Sequence, residues 1–198
     1  TFTDTGGGIG EISGATSTIG THAFSVTASD GSNSTTSTFD LVVEDPYVAG
    51  QLQADGTIYV GELNGRKLFT TQYGEGDFVW GGYGYDTPGA DSMSDGPQNT
   101  ADLMADGVAH PAAEACATLD ANGHTDWYLP AMDELYKMYQ IRDAAGFHPV
   151  QNKWHWSSTE SNAQDAWGRG LTVFVQQTNY KSYNSQGESW FVHCMRDE

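Results

Sequence analysis

The chain has 198 residues, enough for one large domain or two small ones with a buried core. It carries 26 acidic and 8 basic residues, and its net charge of −18 argues against partners such as nucleic acid or anionic lipid. Such acidity is typical of proteins in extracellular settings, so an extracellular, cell-surface or virion-surface location is expected.

No apolar run approaches the ~20 residues of a membrane-spanning helix, so no membrane insertion is expected. The sequence opens inside a Gly/Thr-rich region without a signal peptide, which predicts a fragment with more chain upstream. The two cysteines, Cys116 and Cys194, show no CxxC spacing. A structural disulfide and a pair of buried thiols both stay open at this point.

Residues 1 to 46 are predicted to be an all-β segment. In THAFSVTASDGSNSTTSTFDLVVED, Phe24 and Phe39 lie on the apolar faces of two alternating strands, and Asp30-Gly31 begins their connection. The stretch resembles the last two strands of bacterial and archaeal immunoglobulin-like repeats, so it is interpreted as a partial immunoglobulin-like segment. A remnant this small cannot bury its own core, and self-association into a homo-oligomer is expected.

Residues 47 to 198 are predicted to form an α+β domain of two helices and antiparallel strands. Asn64-Gly65 between apolar alternations predicts a hairpin with a type I′ turn, and residues 74 to 99 are predicted as loop. One helix begins at Pro111, and a second follows Leu129-Pro130 and ends near Gly146. Strands are then predicted in WHWSSTE, AWGRGLTVFV and SWFVHCMR.

Three motifs occur in a fixed order: GHTDWYLPAMDEL at 123–135, WHWSSTE at 154–160 with AW at 166–167, and FVHCMR at 191–196. With Cys116 on the preceding helix, they resemble a family of bacterial and archaeal domains named after the C-terminal domain of a collagen-like adhesin. That family has a fold of the C-type lectin kind. Its DWRLP, the Thr after LP, and YVRCVR are replaced here by DWYLP, Ala131 and FVHCMR.

The resemblance implies a C-type lectin-like fold and a disulfide that joins Cys116 to Cys194. Most matched residues receive structural roles. Trp156 and Trp167 are expected to be apolar anchors, and the hydroxyls of 157–159 to satisfy backbone groups. Glu134 is expected near the positive end of the second helix.

The sequence favours a non-enzymatic protein without a cofactor. The EPN, QPD and WND triplets through which sugar-binding C-type lectins chelate Ca²⁺ do not occur. Four aspartates could supply oxygen ligands for Ca²⁺, but their spacing fits no Ca²⁺ loop and no metal is predicted: Asp86, Asp91, Asp95 and Asp102. No histidine has a metal-site spacing or a visible nucleophile partner; His193 is expected to face away from the core and His155 to reach a surface.

The stretch QQTNYKSYNSQ, residues 176 to 186, is predicted to be a solvent-facing binding surface. In the strand before it, Trp167 and Leu171 share a face expected to be core, while Gly168, Gly170 and Thr172 share a face expected to be exposed. Tyr, Ser, Asn and Gly are residues that antibody binding loops favour, because they combine rigid amphipathic contacts with adaptable hydrogen bonds.

C-type lectin folds are used by the variable proteins of diversity-generating retroelements, which substitute adenines in a template, often in AAY codons. Such substitution reaches Asn, Ser, Tyr, His, Asp, Gly and Thr, but not Lys, Gln, Glu, Trp or Met. We therefore expect a sequence-variable surface for an unknown protein or glycan ligand on another cell or host. Its expected positions are His155, Asn162, Asp165, Gly168, Gly170, Thr172, Asn179, Tyr180, Ser182, Tyr183 and Asn184. The alternative is a structural cell-surface or stalk-capping protein without a diversified site.

Overall fold

The computed structural model describes residues 2–6, 9–12, 18–150, 152–172, 175–182 and 190–198. The chain divides into two compact units, Thr1–Pro46 and Tyr47–Glu198. Its secondary structure is mixed α+β. Among the described helices, none combines the length and apolarity needed to cross a bilayer.

The regular elements described in the first unit are four strands: β1 (Phe2–Gly6), β2 (Ile9–Ile12), β3 (Gly20–Ser29) and β4 (Ser34–Val43). β3 and β4 pair antiparallel over all ten residues. Asp30 closes their turn, because its Oδ1 accepts the N–H groups of Ser32 and Asn33. Phe24 stacks on Phe39 with ring centroids 5.5 Å apart, and both rings are exposed. The hairpin therefore presents the apolar face that the alternation predicts.

The second unit combines helices and two sheets. Its elements are β5 (Ile58–Leu63), β6 (Arg66–Thr70), β7 (Gly76–Phe78), α1 (Gly96–Ala105), α2 (Pro111–Ala117), α3 (Met132–Gln140), β8 (Trp154–Glu160), β9 (Asp165–Gly170), β10 (Val175–Tyr180), β11 (Trp190–Val192) and β12 (Met195–Asp197). One sheet has the order β12-β6-β5 and the other the order β10-β9-β8-β11-β7. β11 runs parallel to β8, and the other neighbours pair antiparallel.

Local turn chemistry explains the first hairpin of this unit. Asn64 and Gly65 have φ values of 53° and 78°, so both central residues adopt the left-handed conformation of a type I′ turn. The predicted hairpin between β5 and β6 is confirmed.

Helix α1 contradicts the prediction that residues 74 to 99 are loop throughout, and so does the short strand β7. Asp95 is the N-cap residue of α1 and accepts the N–H of Gln98 at 3.1 Å, while Pro97 lies in the first turn. Gly96 and Pro97 suggested a loop, but a proline in the first helical turn loses no hydrogen bond. The second predicted helix, α3, ends at Gln140, earlier than the predicted end near Gly146.

Residues of the recognised motifs hold the elements together. Cys116 of α2 forms a disulfide with Cys194, which lies between β11 and β12. Glu134 of α3 is buried and accepts the N–H of Ala131 at 2.8 Å and Nη2 of Arg66 at 2.9 Å. The hydroxyl of Ser157 donates to the carbonyl of Trp167 at 2.8 Å. The disulfide and the Arg66–Glu134 contact join segments that lie far apart in the sequence.

Candidate ligand-binding surface

Three segments meet beside the end of β10: the loop 81–86, the turn 161–164 between β8 and β9, and residues 180–182. Backbone hydrogen bonds join them. The N–H of Gly81 donates to the carbonyl of Lys181 at 3.0 Å, and the N–H of Lys181 donates to Gln164 at 2.8 Å. The N–H of Gly84 donates to the carbonyl of Ala163 at 2.8 Å. Lys181 therefore occupies the junction of the three segments.

The side chain of Lys181 is fully buried at this junction. Its ammonium forms an ion pair with Glu160, whose side chain is only 3% exposed. Its Nζ also donates to the carbonyl of Tyr85 at 2.7 Å and lies 4.9 Å from the ring centroid of Trp80. Burial lowers the pKa of Lys181 to about 8, while the charge of Asp86 opposes that shift. These contacts fix the lysine as an anchor beneath the surface.

Three tyrosines stand exposed around this anchor. Tyr83, Tyr85 and Tyr180 are 55%, 43% and 56% exposed, respectively. The rings of Tyr83 and Tyr180 form an edge-to-face pair with centroids 6.2 Å apart. Asn162 and Ser182, on the neighbouring segments, are exposed as well. We call Tyr83, Tyr85, Asn162, Tyr180 and Ser182 the tyrosine surface.

The tyrosine surface unites three of the predicted positions with two that the sequence did not single out. Asn162, Tyr180 and Ser182 were predicted, whereas Tyr83 and Tyr85 belong to the run GGYGYDTPG, which suggested only a loop. The alternation of Gly and Tyr in that run is itself typical of antibody-like binding loops. It was the one available signal that this loop could be part of a contact surface.

Asn162 and Asp165 also build the turn that carries them. Oδ1 of Asn162 accepts the N–H groups of Gln164 at 2.8 Å and Asp165 at 3.0 Å. Nδ2 of Asn162 donates to the carboxylate of Asp165 at 3.2 Å, and Asp165 is partly buried. The polar groups of these two residues are therefore partly used within the turn.

The strand β10 extends the exposed area away from the tyrosines. Within the described ranges it is the outermost strand of its sheet, and its side chains are exposed except for Asn179, which is partly buried. Oδ1 of Asn179 accepts the N–H of Tyr180 at 2.8 Å. Thr172 precedes the other end of β10, and six residues of strand span about 20 Å. Thr172 is partly buried and lies away from the tyrosine surface.

The prediction that Gly168 and Gly170 face solvent is wrong, since both are buried in β9. A Cβ atom added at Gly168 would lie 2.3 Å from the ring of Trp190 and 2.4 Å from the carbonyl oxygen of His155. On the other face of β9, Arg169 lies over the ring of Tyr136 in α3. Both faces of the strand are covered, so small residues mark close packing here and not exposure.

The predicted strand AWGRGLTVFV is also interrupted. β9 ends at Gly170, and the chain turns at residues 171–172 before β10 begins at Val175. The antiparallel pairing of β10 with β9 places Thr178 opposite Trp167 and Tyr180 opposite Asp165.

The two histidines that the sequence placed toward solvent are both fully buried. Their rings lie 6.1 Å apart, and His155 also contacts Phe191 while His193 contacts Phe147. Burial lowers the pKa of His155 to about 3 and that of His193 to about 4, so both are neutral at pH 7. The prediction that His155 is part of the binding surface is therefore wrong. The prediction that His193 faces away from the core is also wrong, because side chains on both faces of its segment are covered. Tyr183 and Asn184, the last two predicted positions, lie outside the described residues.

Two of the four aspartates considered for Ca²⁺ have structural partners at helix α1. Asp95 caps the helix, and Asp102 accepts Nε2 of Gln98 at 3.0 Å. The described residues contain one close group of three metal-ligand side chains, Glu75 with Cys116 and Cys194. Both of its sulfur atoms belong to the disulfide and offer no thiolate. Neither arrangement supports assigning a metal.

The sequence matches no family model and no curated protein. The resemblance to the collagen-like-adhesin C-terminal family therefore stays a prediction that depends on the three motifs and the paired cysteines.

Proposed function

We propose that the chain is a non-enzymatic ligand-binding protein and that the tyrosine surface is its binding site, carried on a C-type lectin-like fold. The observation that supports this most directly is the arrangement around Lys181. Exposed Tyr, Asn and Ser side chains stand on three segments that one buried lysine holds in place. Rigid aromatic contacts on a fixed scaffold are the chemistry of antibody binding loops.

Burial at five positions also supports a variable protein of a diversity-generating retroelement, whereas Gly168 and Gly170, which the same substitution can produce, are buried. Lys181 and Trp190, which adenine substitution in AAY codons cannot produce, are buried. Asn162, Tyr180 and Ser182, which such substitution can produce, are exposed. Variation at the exposed positions would change the contact surface while the residues beneath it stay constant.

The proposed ligand is a protein or glycan on another cell or host, and the proposed location is extracellular, on a cell or virion surface. The disulfide between Cys116 and Cys194 supports that location, because disulfides persist in oxidising compartments. The alternative of a structural stalk-capping protein gives no reason for three exposed tyrosines to gather around one anchor.

Sequencing this gene across many isolates of one population tests the proposal. Substitutions should cluster at Asn162, Asn179, Tyr180 and Ser182 and should spare Lys181, where replacement would break the anchor. Gly168 should also be constant, because the ring of Trp190 leaves no room for a side chain. Substitutions scattered evenly over exposed and buried positions would refute a diversified binding site.

Self-association through the first unit is proposed as well. Phe24, Phe39 and Leu41 expose apolar side chains on the β3–β4 hairpin. Covering them with a second copy would remove that area from water. Sedimentation equilibrium should show a dimer or larger species that Phe24→Ser with Phe39→Ser dissociates. A monomer at high protein concentration would contradict this.

A further inference from the structure

Most cations of this chain make contacts within the molecule. All eight Lys and Arg residues lie in the described ranges, and each of them is buried or partly buried. Seven form an ion pair or lie over an aromatic ring of the same chain. The eighth, Lys137, is partly buried. With a net charge of −18, the exposed charge of the protein is therefore predominantly negative.

The same imbalance holds at the tyrosine surface. Its one nearby cation, Lys181, is buried and paired with Glu160. Asp86 follows Tyr85 directly, is exposed, and lies close enough to Lys181 to influence its titration. Asp165 borders the surface at the turn that carries Asn162. The tyrosine rings are thus flanked by carboxylates and by no exposed lysine or arginine.

Tyrosine rings and carboxylates attract the same kind of partner. The face of an aromatic ring is negative and attracts an ammonium or guanidinium group placed over it. Neighbouring carboxylates add hydrogen-bond acceptors for the same group, and a negative potential speeds the approach of a positive partner. An acidic partner, such as a sialylated glycan, would be repelled.

We infer that the tyrosine surface binds a basic protein segment, with Lys or Arg side chains held over Tyr83, Tyr85 and Tyr180 beside Asp86. This inference rests on the proposed function and adds the chemical class of the ligand. Charge complementarity selects this partner over a neutral or acidic one.

Fluorescence anisotropy with labelled deca-arginine as the probe tests the inference on the full chain. Tyr83→Ala with Tyr180→Ala should weaken binding about fivefold or more, because two ring contacts to a cation are lost. Tyr73→Ala is the matched control, because Tyr73 is 63% exposed outside the tyrosine surface. This control should bind like the unchanged protein.

A second variant keeps the rings and removes only charge. Asp86→Asn should weaken deca-arginine binding and reduce its dependence on salt between about 50 and 300 mM. Equal affinity of the double tyrosine variant and the Tyr73→Ala control would show attraction by the whole acidic surface and would overturn the inference. Binding of deca-glutamate or of a neutral Gly-Ser peptide as tight as that of deca-arginine would overturn it as well.

The population sequencing described above does not depend on ligand charge. Clustered substitutions together with failed deca-arginine binding would therefore reject the cationic ligand and leave the proposed binding site intact. Scattered substitutions would reject the proposed function itself.

Discussion

Replacing Lys181 by methionine tests whether the buried lysine is the anchor of the tyrosine surface. Lys181→Met keeps a chain of similar length and removes the charge that pairs with Glu160. The Glu160 side chain is 3% exposed, and among the described residues it would keep only the N–H of Thr87 at 2.8 Å as a partner. It must then be charged without a counter-charge or take up a proton. For a glutamate with the ordinary pKa of about 4.3, protonation at pH 7 costs about 3.7 kcal/mol. This value sets the expected loss of stability, in the range known for broken buried ion pairs.

The same reasoning predicts a pH dependence. At pH 5 protonating that carboxyl costs only about 1 kcal/mol, so most of the loss caused by Lys181→Met should disappear. The matched control is Lys181→Met combined with Glu160→Gln, which leaves no buried charge and should lose little at either pH. Urea unfolding at pH 5 and pH 7 measures all three proteins. An equal loss at both pH values, or a double variant as unstable as the single one, would refute the buried ion pair.

Three further predictions concern the scaffold. The double variant Cys116→Ala with Cys194→Ala should have a free energy of unfolding about 4–5 kcal/mol lower, measured by urea unfolding. The reason is that the disulfide joins residues 78 positions apart and so restricts the unfolded chain. A loss below about 1 kcal/mol would contradict this. Burial raises the pKa of Glu75 to about 7, so the folded state holds a proton that the unfolded state has lost. The resulting stabilisation is present below pH 4.5 and disappears as pH rises through 7. Between pH 5 and 8 the free energy of unfolding should therefore decline by about 2–3 kcal/mol, and Glu75→Gln should remove this decline. An unchanged dependence of stability on pH in the variant would argue against the raised pKa of Glu75. Gly168→Ala should lower the free energy of unfolding by about 1–3 kcal/mol, because the added methyl group overpacks the strand. The control Ser182→Ala, at an exposed position, should change it by no more than about 0.5 kcal/mol. Equal thermal midpoints for the two variants would count against close packing at β9.

The parts of the fold that were predictable from sequence are governed by neighbouring residues. Asn64-Gly65 specified the hairpin between β5 and β6, because a type I′ turn needs two residues that tolerate positive φ. Pro111 marked the start of α2. Asp30-Gly31 placed the turn of the β3–β4 hairpin. In each case a few consecutive residues contain the whole physical cause.

The parts that failed depend on residues far away in the sequence. Whether Gly168 is exposed depends on Trp190, and no local pattern reports that a tryptophan ring covers the glycine face. The strand rule that puts bulky residues inside and small ones outside holds when one face meets water. β9 has α3 on one face and Trp190 on the other, so the rule gave the wrong answer there. The burial of His193 was missed for the same reason, because side chains on both faces of its segment are covered.

Lys181 shows how charge composition could have indicated the anchor. A lysine within a polar run such as QQTNYKSYNSQ is normally expected at the surface. In this chain, however, 26 acidic residues outnumber 8 basic ones, and Lys181 is the only Lys or Arg between Arg169 and Arg196. An acidic protein gains solubility from its exposed carboxylates without any lysine, whereas a buried carboxylate that stays charged, such as Glu160, is stabilised by a positive partner. Where cations are this scarce, a single lysine inside an exposed polar segment is better explained as the counter-charge of a buried acid. The segment that carries it is then held in place, and a surface held in place loses less conformational entropy when it binds.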